Sequence, residues 1–304
     1  MRAEEAPSGQ GPDRPAGLPA WSDTGFPIRA TPFLVTLYGD VAAIRGGELW
    51  TGNIVQILGE IGIAESRVRT ALSRLVASGR LEGGKQGRRS FYRLTPAAER
   101  ELAVSARLIY APVEPPPLRG WHLVLLPETG REAAAATLGR LRFGIAAPRL
   151  AVLPDRGAPL PPLPGCRFHA LTEDDLAQPL AGVWPLPALA GRMQDFIGRF
   201  GGLLACFDQQ PQSALALRLL LVHGFREIAL RDPLLPPALL PGGWPGAAAR
   251  GLFVRLYMAL MPAADACIAR LEGREGRLRA DPERLAQRFA DLTGVPLTPR
   301  SAGA

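Results

Sequence analysis

The segment from Thr51 to Thr95 most restricts what this chain can fold into. In "TGNIVQILGEIGI", Ile54, Ile57, Leu58 and Ile61 recur at helical spacing, and Gly59 and Gly62 mark the end of a short helix. A tight turn leads to a second periodic segment, Glu65 to Ser78, closed by Gly79. Two strand-like runs then follow, "RLEGG" and "SFYRLT", around a tip of glycine, glutamine and lysine. Upstream, Thr31-Pro32 reads as a side-chain cap followed by proline, starting a helix over Phe33 to Ile44 that ends at Gly46-Gly47, before the extended "GELW". Thr95-Pro96 repeats that start for a fourth helix reaching about Tyr110.

Helix, strand, helix, helix, hairpin is the order of a winged helix-turn-helix. On a wheel of about 100° per residue, Val68, Ala71, Leu72, Leu75 and Val76 share one arc of the third helix, and Arg67, Arg69, Thr70, Ser73 and Arg74 the opposite one. Arginine forks onto guanine O6 and N7 in a major groove, serine and threonine reach base edges, and all of them reach phosphate oxygens. The hairpin carries Lys85, Arg88 and Arg89 around its tip, with Arg93 behind them, the composition of a wing that grips phosphate. These residues make double-stranded DNA the expected partner.

Charge distribution supports that reading better than total charge does. The 304 residues sum to +7, yet Lys85 is the lone lysine, so the basic excess is arginine and reflects overall composition as much as function. Clustering is the stronger signal: Glu65 to Leu94 holds eight basic and two acidic residues, 8 − 2 = +6. Cys166, Cys206 and Cys267 have neither disulfide-framework nor zinc spacing, which fits a reducing cytoplasm. Residues 1–30 read as a disordered arm rich in proline and glycine rather than a signal peptide, and no membrane span is expected.

"PVEPPPL" (Pro112 to Leu118) reads as a stiff linker. Beyond it, Trp121 to Pro127 reads as a buried strand, Arg131 to Arg142 as a helix, and Ala147 to Pro154 and Cys166 to Thr172 as strands, a small α+β unit. From about Pro185 the pattern is helical, and after Leu278 it becomes a polar tail with room for one short helix. The fold class is thus α+β and multidomain. Its expected parts are an arm (1–30), a winged helix-turn-helix (31–111), a middle domain (119–180), a helical domain (181–278) and a tail (279–304).

Leu34 to Thr95 resembles the N-terminal domain of PaaX-type repressors, regulators of phenylacetic acid catabolic operons. "LLVHGFREIALRDPLLPPALLPGGWPGAAARGLFVRLY" (Leu220 to Tyr257) is similar to that family's C-terminal signature, in which a His and an Arg precede Leu-Arg-Asp-Pro, Leu-Pro, Leu-Leu-Pro and Trp-Pro-Gly. The resemblance implies a winged-helix domain and a ferredoxin-like middle domain, similar to a CRISPR-associated nuclease fold used structurally, and a helical C-terminal domain. It also implies a homodimer that leaves its operator when an aryl-CoA thioester, typically phenylacetyl-CoA, binds.

A thioester of that kind needs arginines beside aromatic and aliphatic walls. His223, Arg226, Arg231, Trp244 and Arg250 supply that chemistry within the C-terminal signature and are the expected effector residues, although each also fits a purely structural role. An acyl-thioester-processing enzyme is the competing class, with His223, Cys206 and Asp232 as base, nucleophile and orienter, but no Gly-x-Ser-x-Gly elbow is present. No catalytic set, cofactor or metal is expected, since "WHLVLLP" carries no carboxylate and His122, His169 and His223 fall in three separate elements.

Overall fold

The computed structural model describes residues 28–171, 180, 182–203 and 211–295, so the N-terminal arm up to residue 27, Thr172 and Cys206 lie outside the described residues. The first helix, α1 (Ala30–Leu37), starts earlier than the Thr31-Pro32 pair suggests. Arg29 is its N-cap, without a side-chain cap bond, and Pro32 sits in the first turn, where N–H groups have no intrahelical partner. Nor does the helix run unbroken to Ile44: Tyr38–Ala42 forms a π turn, with the Ala43 N–H donating to Tyr38 O at 2.8 Å. That wider turn directs Asp40, fully buried, into the core.

Next come β1 (Glu48–Trp50), α2 (Thr51–Glu60), α3 (Glu65–Ala77), the hairpin β2 (Leu81–Gln86) and β3 (Arg89–Leu94), and α4 (Pro96–Ile109). At α4 the Thr95 hydroxyl accepts from the Ala98 N–H at 3.2 Å, so this Thr-Pro pair is a true cap. The three strands form an antiparallel sheet in the order β1-β3-β2. Val68, Ala71, Leu72 and Leu75 bury the inner face of α3, whereas Val76, expected with them, is exposed because it lies at the margin of the arc.

The middle unit holds β4 (Gly120–Leu125), α5 (Arg131–Arg140), β5 (Gly144–Ala147), β6 (Leu150–Asp155) and β7 (Cys166–Ala170). The strand expected at Ala147 to Pro154 is β6, and β5 is an additional strand hidden in the glycine-containing "FGIAA". All pairings are antiparallel in the order β5-β6-β4-β7. Val124, Leu126, Ala151 and Leu153 pack on Ala134 and Leu138 of α5. Trp121 and Val152 form a second cluster with Trp184 and Leu235, which ties the sheet to the C-terminal signature.

The C-terminal helices are α6 (Leu186–Phe200), α7 (Pro211–Ala229) and α8 (Gly246–Ile268), followed by the small hairpin β8 (Glu272–Gly273) and β9 (Gly276–Arg277) and by α9 (Pro282–Thr293). By length and apolar composition alone α8 would pass for a membrane span. Its Phe253, Leu256, Tyr257, Leu260 and Ala264 are buried in the core, which accounts for the apolarity by packing. The short helix for which the polar tail had room is α9, which is capped by Asp281 and buries Arg288 and Leu292. A single hydrophobic cluster runs from Phe33 through α3 and α4 into α6, α7, α8 and α9.

Candidate nucleic-acid interface

Helix α3 follows α2 after a turn set by Gly62, whose φ of +84° favours glycine. With its apolar face fixed in the core, Arg67, Arg69, Thr70, Ser73 and Arg74 point to solvent. Arg67 and Arg74 take part in no ion pair among the described residues, whereas Arg69 is paired with Glu65 one turn back at 2.6 Å. Thr70 and Ser73 donate their hydroxyl protons to the carbonyls of Ser66 and Arg69 and keep acceptor capacity for a partner. The hairpin turns at Gly87 (φ +59°), leaving Lys85 and Arg88 exposed beside it.

Arg89 behaves differently. Its guanidinium stacks 4.6 Å from the ring centre of Trp50 and pairs with Glu272, so part of its bonding capacity is already taken within the chain. Behind it, the buried Glu48 carboxylate gathers Arg93 at 3.7 Å and Arg274 at 3.1 Å. Asn53 donates to Glu272 O at 3.0 Å. Gly84 gives room for the Arg274 guanidinium, since a Cβ there would fall 2.3 Å from one of its nitrogens. The base of the hairpin and the start of α2 are thus braced by the β8–β9 hairpin.

Residues 29–98 match the family model described as PaaX-like protein, and residues 184–270 match that of the PaaX-like protein C-terminal domain. The transcriptional repressor PaaX of Escherichia coli (strain K12) is 33% identical over 292 residues, covering 88% of this chain and 92% of that one. The chain belongs to the PaaX family. It is a PaaX-type transcriptional repressor, and a repressor of transcription binds DNA. Among solved structures, an uncharacterized protein, Rv0674 from Mycobacterium tuberculosis, is similar with a TM-score of 0.49 and 21% identity, covering 78% of this chain and 98% of that one.

Of the effector residues expected from the PaaX signature, His223 and Arg226 lie on α7 with Arg231 just after it, Trp244 precedes α8 and Arg250 lies on α8. His223 is buried on α7, with Nδ1 2.9 Å from the Thr36 hydroxyl of α1. Burial and the neighbouring Arg226, partly offset by Glu227, push its pKa down to about 4, so the ring is neutral near pH 7. Arg231 pairs with Glu227 one turn away at 2.5 Å. Arg250 is buried over the Phe225 ring and donates to Leu108 O and Ala111 O, joining α8 to the end of α4. Trp244 lies against Gly246, where a Cβ would come within 2.4 Å of its ring nitrogen. Arg226 lines a small space beside Thr36 and Leu102. Asp232 accepts from the Leu234 N–H at 2.9 Å and turns the chain after α7.

What sequence reasoning missed is a buried ionic cluster. Asp40 accepts from Tyr110 at 2.8 Å, Tyr257 at 2.9 Å and Arg218 at 2.8 Å, while Arg288 reaches its carbonyl at 2.6 Å. Burial alone raises the Asp40 pKa, but Arg218, Arg288 and the two tyrosine hydroxyls more than offset it and hold the carboxyl below its usual range. Asp265 adds an anion between Arg218 at 2.9 Å and Arg45 at 3.1 Å. Beside this cluster is a cavity of about 350 Å³, walled by Tyr257, Met261, Leu285, Phe289 and Leu292. Arg45, Arg218 and Arg288 lie far apart in sequence and gave no local motif, and the π turn that brings Asp40 among them has no sequence signature.

Proposed function

We propose that this repressor reads its operator with Arg67, Arg69, Thr70, Ser73 and Arg74 of α3 and holds flanking phosphates with Lys85, Arg88 and, more weakly, Arg89, in a winged helix-turn-helix. The observation that carries the reading is the outward arginine face of α3, continuous with the exposed hairpin tip and built on a fixed apolar seat. The functional units are 31–111, a ferredoxin-like sheet domain over 119–180 and a helical domain over 181–278, with α9 joined to the first. The sheet order β5-β6-β4-β7, with β6 between β4 and β5, favours the ferredoxin-like reading. A homodimer on a two-fold operator, with half-sites about a helical turn apart, suits a single recognition helix per chain.

We further propose that an aryl-CoA thioester relieves repression. The aryl group suits the cavity beside Asp40, whose volume falls in the range of small-molecule sites and whose wall carries Tyr257, Met261, Phe289 and Leu292. Ile44 and Arg45 in its wall follow directly on the π turn of α1, so a ligand there bears on the helices that seat α3. A hundredfold release of operator requires about 2.7 kcal/mol of coupling.

Fluorescence anisotropy on DNA from upstream of the gene and its neighbours, at fixed salt, tests both parts. Operator binding released by phenylacetyl-CoA and not by free CoA is the expected result. Binding insensitive to the thioester would overturn the effector, and the absence of sequence preference on these and genome-wide fragments would overturn the interface.

A further inference from the structure

Two of the histidines, distant in sequence, meet in the middle sheet. His122 of β4 and His169 of β7 stand directly opposite in the antiparallel register, with ring centres 5.6 Å apart. Asp155, ending β6, lies on the same face two residues beyond Leu153, the partner of His122. Both imidazoles turn Nε2 toward its carboxylate, His122 at 3.4 Å from Oδ1 and His169 at 3.1 Å from Oδ2.

We propose that His122, Asp155 and His169 form a binding site for a divalent transition-metal ion of the zinc type. Their three ligand atoms lie within 4.8 Å of one another. A tetrahedral ion with bonds of 2.0–2.1 Å holds its ligands about 3.3 Å apart, so only small inward movements are required. Two imidazole nitrogens and one carboxylate leave the fourth position for water, and such a donor set selects zinc, cobalt or nickel over magnesium and calcium.

The surroundings fit ligation. The Gly157 N–H donates to Asp155 Oδ1 at 2.7 Å and fixes the carboxylate from behind. Gly120, at φ +135°, lets the His169 ring lie over the backbone, because a Cβ there would come 2.9 Å from its Cε1. His169 is half-exposed, so the ion has a path from solvent.

The test is calorimetric titration of the untagged, chelator-treated full chain with zinc chloride, followed by cobalt chloride with visible absorption recorded. One zinc ion per chain and the absorption of four-coordinate cobalt are expected. His122→Ala and His169→Ala should each weaken binding at least tenfold, since loss of mere outer partners costs about 10–100-fold. Cys166→Ser, at the exposed start of β7, should leave binding unchanged. Should His122→Ala fail to fold, the half-exposed His169→Ala decides the matter. Zinc binding retained in His169→Ala, lost in Cys166→Ser, or absent from the parent chain would overturn the site.

Discussion

Two groups of arginines in this molecule have opposite surroundings. Arg67, Arg69 and Arg74 stand in solvent on α3, whereas Arg218 and Arg288 are buried around Asp40. Composition treats them alike, but the physics does not. A buried guanidinium loses hydration worth several kcal/mol and is tolerated only when its donors are satisfied, so the inner group specifies geometry. An exposed guanidinium loses little, remains available, and is suited to a polyanion. Only an arginine face on a helix that buries its other side is therefore free to meet a polyanion.

The largest test of this contrast removes the inner anion. Asp40→Ala leaves Arg218 and Arg288 buried without their shared carboxylate and two tyrosine hydroxyls without their acceptor. The expected loss is about 3–5 kcal/mol in urea unfolding. A loss below 1 kcal/mol would mean that the inner arginines are hydrated in solution, and the contrast with α3 would collapse.

His223 sharpens the comparison through pH. Its folded pKa, about 4, lies below the ordinary 6.5, so the folded state resists the proton that the unfolded state accepts. Stability is then complete above about pH 6.5 and falls as pH drops toward 4. Between pH 7.5 and 5 the expected cost is about 2 kcal/mol. His223→Gln, which retains a partner for Thr36, should flatten that part of the stability curve, as measured by urea unfolding at several pH values.

On the outer group the readout is DNA. Arg74→Ala, or Arg69→Ala, should narrow the gap between operator and random DNA by roughly tenfold, about 1.4 kcal/mol. Arg88→Ala at the hairpin tip should weaken both and lower the salt slope by about one unit. Equal loss of specificity from all three variants would contradict the division between helix and wing.

The outer group was legible in sequence because its signal is local: helical period, glycine stops and charge lie within one stretch, and α3, β2 and β3 formed where the pattern put them. The inner group was not, since Asp40, Arg218, Asp265 and Arg288 come together only through tertiary packing. Thr31-Pro32 and Thr95-Pro96 are instructive for the same reason. They read identically, yet only Thr95 caps its helix, because chain direction outside the helix decides where the first turn begins. His122 and His169 likewise meet through strand register, which spacing along the chain does not encode.

Arg89 lies between the two groups and gives the smallest and most discriminating effect. It is exposed like Arg88, but its guanidinium is held by Glu272 and the Trp50 ring. A surface ion pair of this kind contributes at most about 1 kcal/mol. Arg89→Ala should therefore cost less DNA affinity than Arg88→Ala, while shifting urea stability by less than 1 kcal/mol. Glu272→Gln should have the converse effect on affinity, releasing Arg89 toward phosphate and steepening the salt slope slightly. If Arg89→Ala instead weakened binding as much as Arg88→Ala with stability untouched, Arg89 would belong wholly to the outer group, and the β8–β9 hairpin would brace the wing through Glu48 and Arg274 alone.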